Sequence, residues 1–382
     1  MIRAHKIRLD INNRQSTMLY RTCGSNRYAY NWMLNRSKEL YEQGEKFDKL
    51  KLKREFNFHK KELLWMKEVN AHAVSNDANE RVANSFTNFF KKQNRFPRFH
   101  SKKLGVGSFS LPGSEIKYED QKVYICKLGW LRLREAIRFN YTKIYRITVS
   151  NKAGKWYISF TLEIDDNRTC ENQTSSVGID LGIKKCITCS DGTVIDNPRI
   201  LKHYLNRLRK LNKQLSRRSK GSNNWWKSVY ALRKCYERVS DIRKDFIHKF
   251  TTAITRKHGI ICLEDLNVNG MVKNHKLAKH ILDVAFGEIE RQFMYKASEI
   301  RYVDRFYPSS KTCSSCGSVK DDLKLSDRTY ECSICGLTLD RDLNASINIR
   351  NNAVSSTVTA CGEFGDVMPS MKQELNSKSV DA

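Results

Sequence analysis

Four cysteines constrain one stretch of this chain before anything else about it is considered. Cys313 and Cys316 stand with two residues between them, Cys332 and Cys335 likewise, and fifteen residues separate the pairs. A two-residue gap lets each pair grip one ion as a knuckle, and two knuckles complete a tetrahedral thiolate site. Gly317 and Gly336 follow the second cysteine of each pair, where a tight turn needs a permissive backbone. Four thiolates leave no open coordination position, so one Zn2+ bound here is expected to be structural. The other eight cysteines (23, 126, 170, 186, 189, 235, 262 and 361) are scattered, a usage that fits a reducing cytosol.

Three acidic residues form a second pattern. Asp180 lies in Val-Gly-Ile-Asp-Leu-Gly (177–182), and Glu264 lies in Ile-Ile-Cys-Leu-Glu-Asp-Leu-Asn (260–267). Both end apolar, β-branched runs of the kind that form buried strands. Asp342 lies in Leu-Asp-Arg-Asp-Leu-Asn-Ala (339–345), which opens a segment that reads as a helix. Acids at the ends of two core strands and one on a packed helix can converge on one point. Carboxylates brought together repel unless cations lie between them, so the pattern implies hard divalent ions held through oxygen. Two such ions about 3.5–4 Å apart make a phosphodiester cleavage site. Each acid alone reads as a capped or solvated carboxylate.

Net charge narrows the partners. The 382 residues carry a formal charge of +28, which favours nucleic acid or an anionic surface and says nothing about fold. No apolar run approaches the length of a membrane span, and the first eight residues read as a short alternating strand, not a signal peptide. Strands are expected at 4–12 and over 107–165, with helices over 13–45 (one or a pair) and 50–92 between them. A helical hairpin is expected over 199–255, broken near 221–224, and a helix over 279–299 with a strand at 301–307 after it. Between Asn197 and Tyr236 stand twelve Lys/Arg and no acid. Leucines at 201, 205, 208, 211 and 215 make the first part of that block amphipathic, so it should fold and carry Arg207, Arg209 and Lys210 outward, with Arg217 and Arg218 beyond it. Arg95, Arg98, Lys102 and Lys103 are interleaved with Phe96, Phe99 and His100. That segment suits phosphate contacts beside stacking surfaces; the other reading is a solvated loop whose phenylalanines anchor in a core.

Together these segments resemble the TnpB family, transposon-encoded RNA-guided DNA endonucleases related to type V CRISPR effectors. The resemblance rests on Asp180-Leu-Gly-Ile, Leu263-Glu264-Asp265-Leu266-Asn267, Tyr307-Pro-Ser-Ser-Lys-Thr-Cys313-Ser-Ser-Cys316-Gly317 and Asp340-Arg-Asp342-Leu-Asn344-Ala345. Tyr30-Asn31-Trp32, Phe96-Pro97-Arg98-Phe99 and the segment 270–279 agree with it, and it spans roughly residues 1–352.

The family's fold would be α/β: a RuvC (ribonuclease H-like) nuclease domain with an inserted zinc ribbon, preceded by a β-barrel wedge domain split by a helical recognition insert. Carried onto this chain, the wedge takes 1–12 and 106–170, the helical insert 13–105, the nuclease domain 174–307 and 339–352, and the zinc ribbon 308–338, leaving 353–382 as a flexible tail. The resemblance implies Asp180, Glu264 and Asp342 as catalytic ligands of two Mg2+ ions, with Asp342 preferred over Asp340 because it lies two before Asn344. It also implies a guide RNA from the transposon end, a double-stranded DNA target beside a short flanking motif, and a cytoplasmic, nucleoid-associated protein of a bacterium or archaeon. Residues 268–280 could form a lid. A cut-and-paste transposase shares the fold and three acids and is a rival. A nuclease-inactive RNA-guided repressor would require a lost acid, and all three are present. A His-X-His single-strand transposase is excluded, since none of the nine histidines forms such a pair.

Overall fold

The computed structural model describes residues 1–45, 47–102, 105, 107–165, 170–324 and 327–360, except the side chains of 71, 276 and 356–360. Two compact units divide the chain: residues 1–167 with 217–237, and residues 168–216 with 238 onward. At one point this departs from the expected segments, because residues 217–237 pack with the N-terminal unit although they lie inside 174–307.

The first unit opens with β1 (Ile2–Asp10), α1 (Asn13–Glu42), α2 (Lys49–Glu62) and α3 (Ala71–Phe90). Strands β2 (Ser108–Pro112), β3 (Ile116–Glu119), β4 (Lys122–Ile125), β5 (Gly129–Leu133), β6 (Tyr141–Lys152) and β7 (Lys155–Ile164) follow. They pair in the order β2-β6-β7-β1-β5-β4-β3 as an antiparallel, nearly closed barrel. β1 joins its two halves: residues 2–8 pair with β7 and residues 9–10 with β5. Alternation decides which side chains fill it, since successive strand residues face opposite ways. Ile7 and Leu9 on β1 and Trp156, Ile158, Phe160 and Leu162 on β7 point inward. Residues 13–42 form one helix, not a pair, and Asn12 and Gln15 close its start as a reciprocal capping box. Its first half packs on the barrel through Leu19 and Cys23, and its second half packs on α2 and α3 through Met33 and Leu34.

The second unit contains β8 (Ser176–Leu181), β9 (Lys185–Cys189), β10 (Val194–Asp196), α4 (Ile200–Ser216), α5 (Asn223–Lys257) from residue 238, β11 (Ile260–Glu264) and the turn α6 (Val268–Met271). After these come α7 (His275–Val284), α8 (Phe286–Lys296), β12 (Glu299–Val303), β13 (Thr329–Glu331), β14 (Thr338–Asp340) and α9 (Arg341–Ala360). The main sheet runs β10-β9-β8-β11-β12, antiparallel from β10 to β8 and parallel from β8 to β12. Helices cover both faces, which is why its central strands read as near-continuous apolar runs. Val177, Ile179, Ile261 and Leu263 pack on Ile247, Phe250 and Ile254 of α5 and on Ile289 and Phe293 of α8. On the other face Cys262 packs on Ile349 of α9.

Three expectations shift. The helix expected over 279–299 breaks at Ala285, whose left-handed backbone (φ 62°) turns the chain so that Val284 and Phe286 are both buried. The strand after it is 299–303, not 301–307. The tail expected from 353 begins inside α9, because Ala353 and Val354 complete the core under Cys262 and Val303. Residues 361–382 lie outside the described residues.

Candidate active site and zinc-binding cluster

Register brings two of the three acids side by side. β8 and β11 are parallel, and Ile260↔Ser176 through Leu263↔Ile179 are paired. One residue further along stand Asp180 and Glu264, on neighbouring strands. Strand periodicity puts Asp180 on the face of Gly178, and Glu264 on the face of Cys262. Both of those residues meet α9. A Cβ on Gly178 would lie 2.0 Å from the Ser346 carbonyl oxygen and 2.6 Å from the Arg350 amide nitrogen. Only glycine lets the helix come this near. Asp342 is one helical turn before Ser346, so α9 delivers it toward the end of the strand that carries Asp180.

The electrostatics agree. Burial raises the Asp180 carboxyl to about 7, and the charges of Glu264 and Asp342 push in the same direction, with Arg341 opposing. Carboxylate oxygen is the donor type of a hard divalent cation, but the three acids do not lie within 4.8 Å of one another as the four cysteine sulfurs do. The Glu264 Oε1 atom accepts a hydrogen bond from Ser309 Oγ at 2.5 Å. Asp265 is turned away from this group, paired with Arg305 at 2.6 Å.

Asp340 has other work. Its Oδ1 accepts from the amides of Asp342 (3.0 Å) and Leu343 (3.2 Å), which caps α9, and its Oδ2 accepts from Lys185 Nζ at 2.7 Å. Burial acts to raise this carboxyl, but Lys185 and the two amides outweigh it and hold it below its ordinary value.

The four cysteines do converge. Their sulfurs lie within 4.8 Å of one another, the one such set of three or more metal-type donors among the described residues. Cys313 and Cys335 are 3.5 Å apart and Cys316 and Cys332 are 3.6 Å apart. Gly317 (φ 76°) and Gly336 (φ 73°) take the left-handed turns anticipated for them, and their amides bond back to the carbonyls of Cys313 and Cys332 at 3.0 Å. The Ser318 hydroxyl and the amides of Cys335 and Ile334 face Cys332 Sγ and lower its pKa to about 5, while burial raises Cys313 to about 11. Four soft sulfur donors in one place suit zinc.

The cluster is tied to the helix of Asp342 through two buried asparagines, Asn344, which the motif contains, and Asn348, which the sequence analysis did not single out. Asn344 Nδ2 donates to the Thr312 carbonyl at 2.7 Å and its Oδ1 accepts from the Ser314 amide at 3.0 Å. Asn348 Nδ2 donates to the carbonyls of Ser309 (2.8 Å) and Thr312 (2.6 Å). A signal was present: polar Asn344 and Asn348 recur four residues apart on an otherwise packed helix face. The role of Ser309 had no such signal, since a serine after proline reads as a turn.

The basic candidates fall on the surface. Arg95, Arg98 and Lys102 are exposed, as are Arg207, Arg209 and Lys210 on α4, and none of these makes an ion pair among the described residues. Arg217 is exposed, and Arg218 Nη1 donates to the Asn224 carbonyl at 2.6 Å. Lys103 lies outside the described residues. The loop carrying Arg95 and Arg98 is pinned to α1: Asn31 bonds the backbone of His100 in both directions, and the His100 ring stacks on Tyr30 with centroids 3.9 Å apart. Phe96 meets Phe86 and Phe89 edge-on, while Lys38 lies over both Phe96 and Phe99.

Three family models match the chain. One described as "Probable transposase" covers residues 159–275, a "Cas12f1-like, TNB domain" covers 286–349, and a "Helix-turn-helix domain" covers 1–46. In this structure residues 1–45 hold β1 and a single helix. A protein of Escherichia coli (strain K12), provisionally named RNA-guided DNA endonuclease InsQ, is 31% identical across 98% of this chain and 97% of its own. The chain belongs to the TnpB family. A relative from Streptomyces pristinaespiralis, provisionally named RNA-guided DNA endonuclease, is 32% identical over 94% of this chain and 91% of its own. Among solved structures, a Cas12f1–sgRNA–target DNA complex overlaps the TnpB-family chain with a TM-score of 0.58 at 15% identity, covering 89% of this chain and 83% of that one. That likeness is one of fold.

Proposed function

We propose that this protein is an RNA-guided DNA endonuclease of the RuvC type, cutting DNA phosphodiesters with the site formed by Asp180, Glu264 and Asp342. The observation that carries the reading is the placement of two acids at the shared edge of a parallel strand pair and a third on the helix packed over it. The names of full-length relatives support the same activity.

Asp180, Glu264 and Asp342 would hold the divalent ions, with Mg2+ the natural choice for oxygen donors. Such ions, when bound, polarise the phosphate and acidify the attacking water. The chain's own groups prepare the site. Ser309 occupies one oxygen of Glu264 and so fixes the direction of the other. Asp340 is committed to Lys185 and the helix amides, which leaves Asp342 as the available acid on α9. The zinc-type cluster holds residues 309–314 against that helix and has no open position for chemistry. Outward cations on α4 and the 95–102 loop would neutralise phosphates of RNA and DNA. Target choice would come from base pairing with a guide transcribed from the transposon end, beside a flanking motif read by the protein. One nuclease site would then cut both strands in turn.

The test is direct. RNA that copurifies with the chain is sequenced, its guide segment is replaced, and cleavage of matching DNA is measured. Cutting should move to the new site and vanish with Asp180→Ala. Site-specific cutting or joining by RNA-free protein would instead place the chain with the cut-and-paste transposases.

A further inference from the structure

One surface of the first unit combines exposed aromatic rings with cations that make no ion pair among the described residues. Trp226 and Tyr230 are four residues apart on α5 and so share a face. Tyr20 of α1 is close enough to Tyr230 that burial and the neighbouring phenol together raise its pKa. The three rings are 43%, 39% and 44% exposed, respectively.

These rings are held, not loose. Trp226 meets Trp225 edge-on with centroids 4.7 Å apart, and Tyr20 meets the buried Trp156 at 5.0 Å in the same manner. Tyr230 lies against the β6–β7 turn at Gly154 (φ 78°), where an added Cβ would come within 1.8 Å of its hydroxyl. Two turns further along α5, the buried Glu237 accepts a hydrogen bond from Tyr157 at 3.1 Å and sits 3.8 Å from Lys155, fixing this part of the helix to the barrel. Lys234 Nζ lies 4.6 Å from the centre of the Tyr230 ring. Lys227 and Arg233 are exposed and make no ion pair among the described residues. A rigid ring face with cations beside it and no carboxylate in the stretch 197–236 complements a strand that offers flat bases and phosphates at once. A duplex keeps its bases stacked inside and cannot use the rings.

We propose that Tyr20, Trp226 and Tyr230 form a platform on which unpaired bases of a bound RNA strand stack, with Lys227, Arg233 and Lys234 at the adjoining phosphates. The choice of RNA rests on the function proposed above; the platform rests on the rings and charges alone.

The full chain, freed of copurified nucleic acid, is titrated with a labelled unstructured RNA of about a dozen nucleotides, the same sequence as DNA, and a fully paired RNA hairpin. Trp226→Ala and Tyr20→Ala should each weaken binding of the unpaired RNA about tenfold, in line with the loss of one base stack. They should leave hairpin binding within twofold. Trp226→Phe, which keeps a stacking face, should recover most of the affinity. The salt slope should stay unchanged in the ring variants and fall by about 0.7 in Lys227→Gln, as expected for one single-strand phosphate contact. Wild-type affinity in both alanine variants overturns the proposal, as does an equal loss on hairpin and unpaired RNA. Ring-dependent preference for the DNA strand overturns the assignment of RNA. Ring-dependent RNA binding in a protein that shows no guided cutting would preserve the platform and reject the nuclease reading, so the two fail separately.

Discussion

At Asp180 a carboxylate is buried where its two nearest functional neighbours are also acids. Its folded pKa, about 7, stands above the ordinary 3.8. Between those values the folded chain holds more protons than the unfolded chain, so this group makes stability fall as pH rises through that window. In chelator, Asp180→Asn should therefore raise the melting temperature over wild type at pH 8, and by a smaller amount at pH 5. Adding Mg2+ should raise the wild-type melting temperature more at pH 8 than at pH 5, and should do neither in the variant. Scanning fluorimetry on the four combinations checks this; equal Mg2+ shifts at both pH values would reject Asp180 as a ligand. The neighbouring acids should separate by role. Asp342→Ala should abolish cleavage with little change in stability, whereas Asp340→Ala should cost about 1 kcal/mol through the lost helix cap and leave measurable cutting. Reversal of those two activities would move the third ligand to Asp340. The sequence showed which acids to compare, since the two strand-end runs and the opening of a helix can be read from side-chain pattern. It did not show what occupies Asp340, because Lys185 is distant in the chain and only the fold sets it at 2.7 Å.

Among the elements, α9 is fitted closely to the sheet. It rests on β8 where Gly178 lacks a side chain, and its amides and carbonyls leave no room for one. Gly178→Ala should destabilise the second unit by about 1–3 kcal/mol, typical of overpacking, and should reduce cleavage further than stability alone explains. Denaturant melts paired with cleavage rates test this; a stable, fully active Gly178→Ala chain would show that α9 can retreat at no cost. α9 also receives the zinc-type cluster through Asn344 and Asn348. Metal analysis should give about one zinc per chain. Cys332→Ser should remove it and raise hydrogen exchange across 309–314, with all other thiols of the cluster becoming reactive. No zinc in the purified chain, together with four freely reactive thiols, would dismiss the cluster as a metal site. The cluster was legible because its spacing is local. The break at Ala285 was not, since an alanine seldom takes a left-handed conformation and nothing nearby announces that Val284 and Phe286 must both face inward. The anchoring of residues 217–237 in the first unit was equally hidden: it depends on Tyr230 meeting Gly154, far away in sequence.

For the whole molecule, charge is the property that composition alone disclosed. A net +28 should make nucleic-acid affinity steeply dependent on salt, and replacing Arg207, Arg209 and Lys210 together with Gln should lower the slope of log affinity against log salt by about two to three. An unchanged slope would remove α4 from the contact surface. The order of the second sheet has a different consequence, one of timing. Its central strands carry Asp180 and Glu264, yet the helix that covers them and supplies Asp342 comes last. At typical synthesis speeds of about 5–20 residues per second, roughly ten to thirty seconds pass between the emergence of the first acid and that of the third. Throughout that interval, and in any chain broken off before residue 340, at most two of the three acids are present and α9 is absent. An unfinished copy thus lacks the third acid of the proposed site.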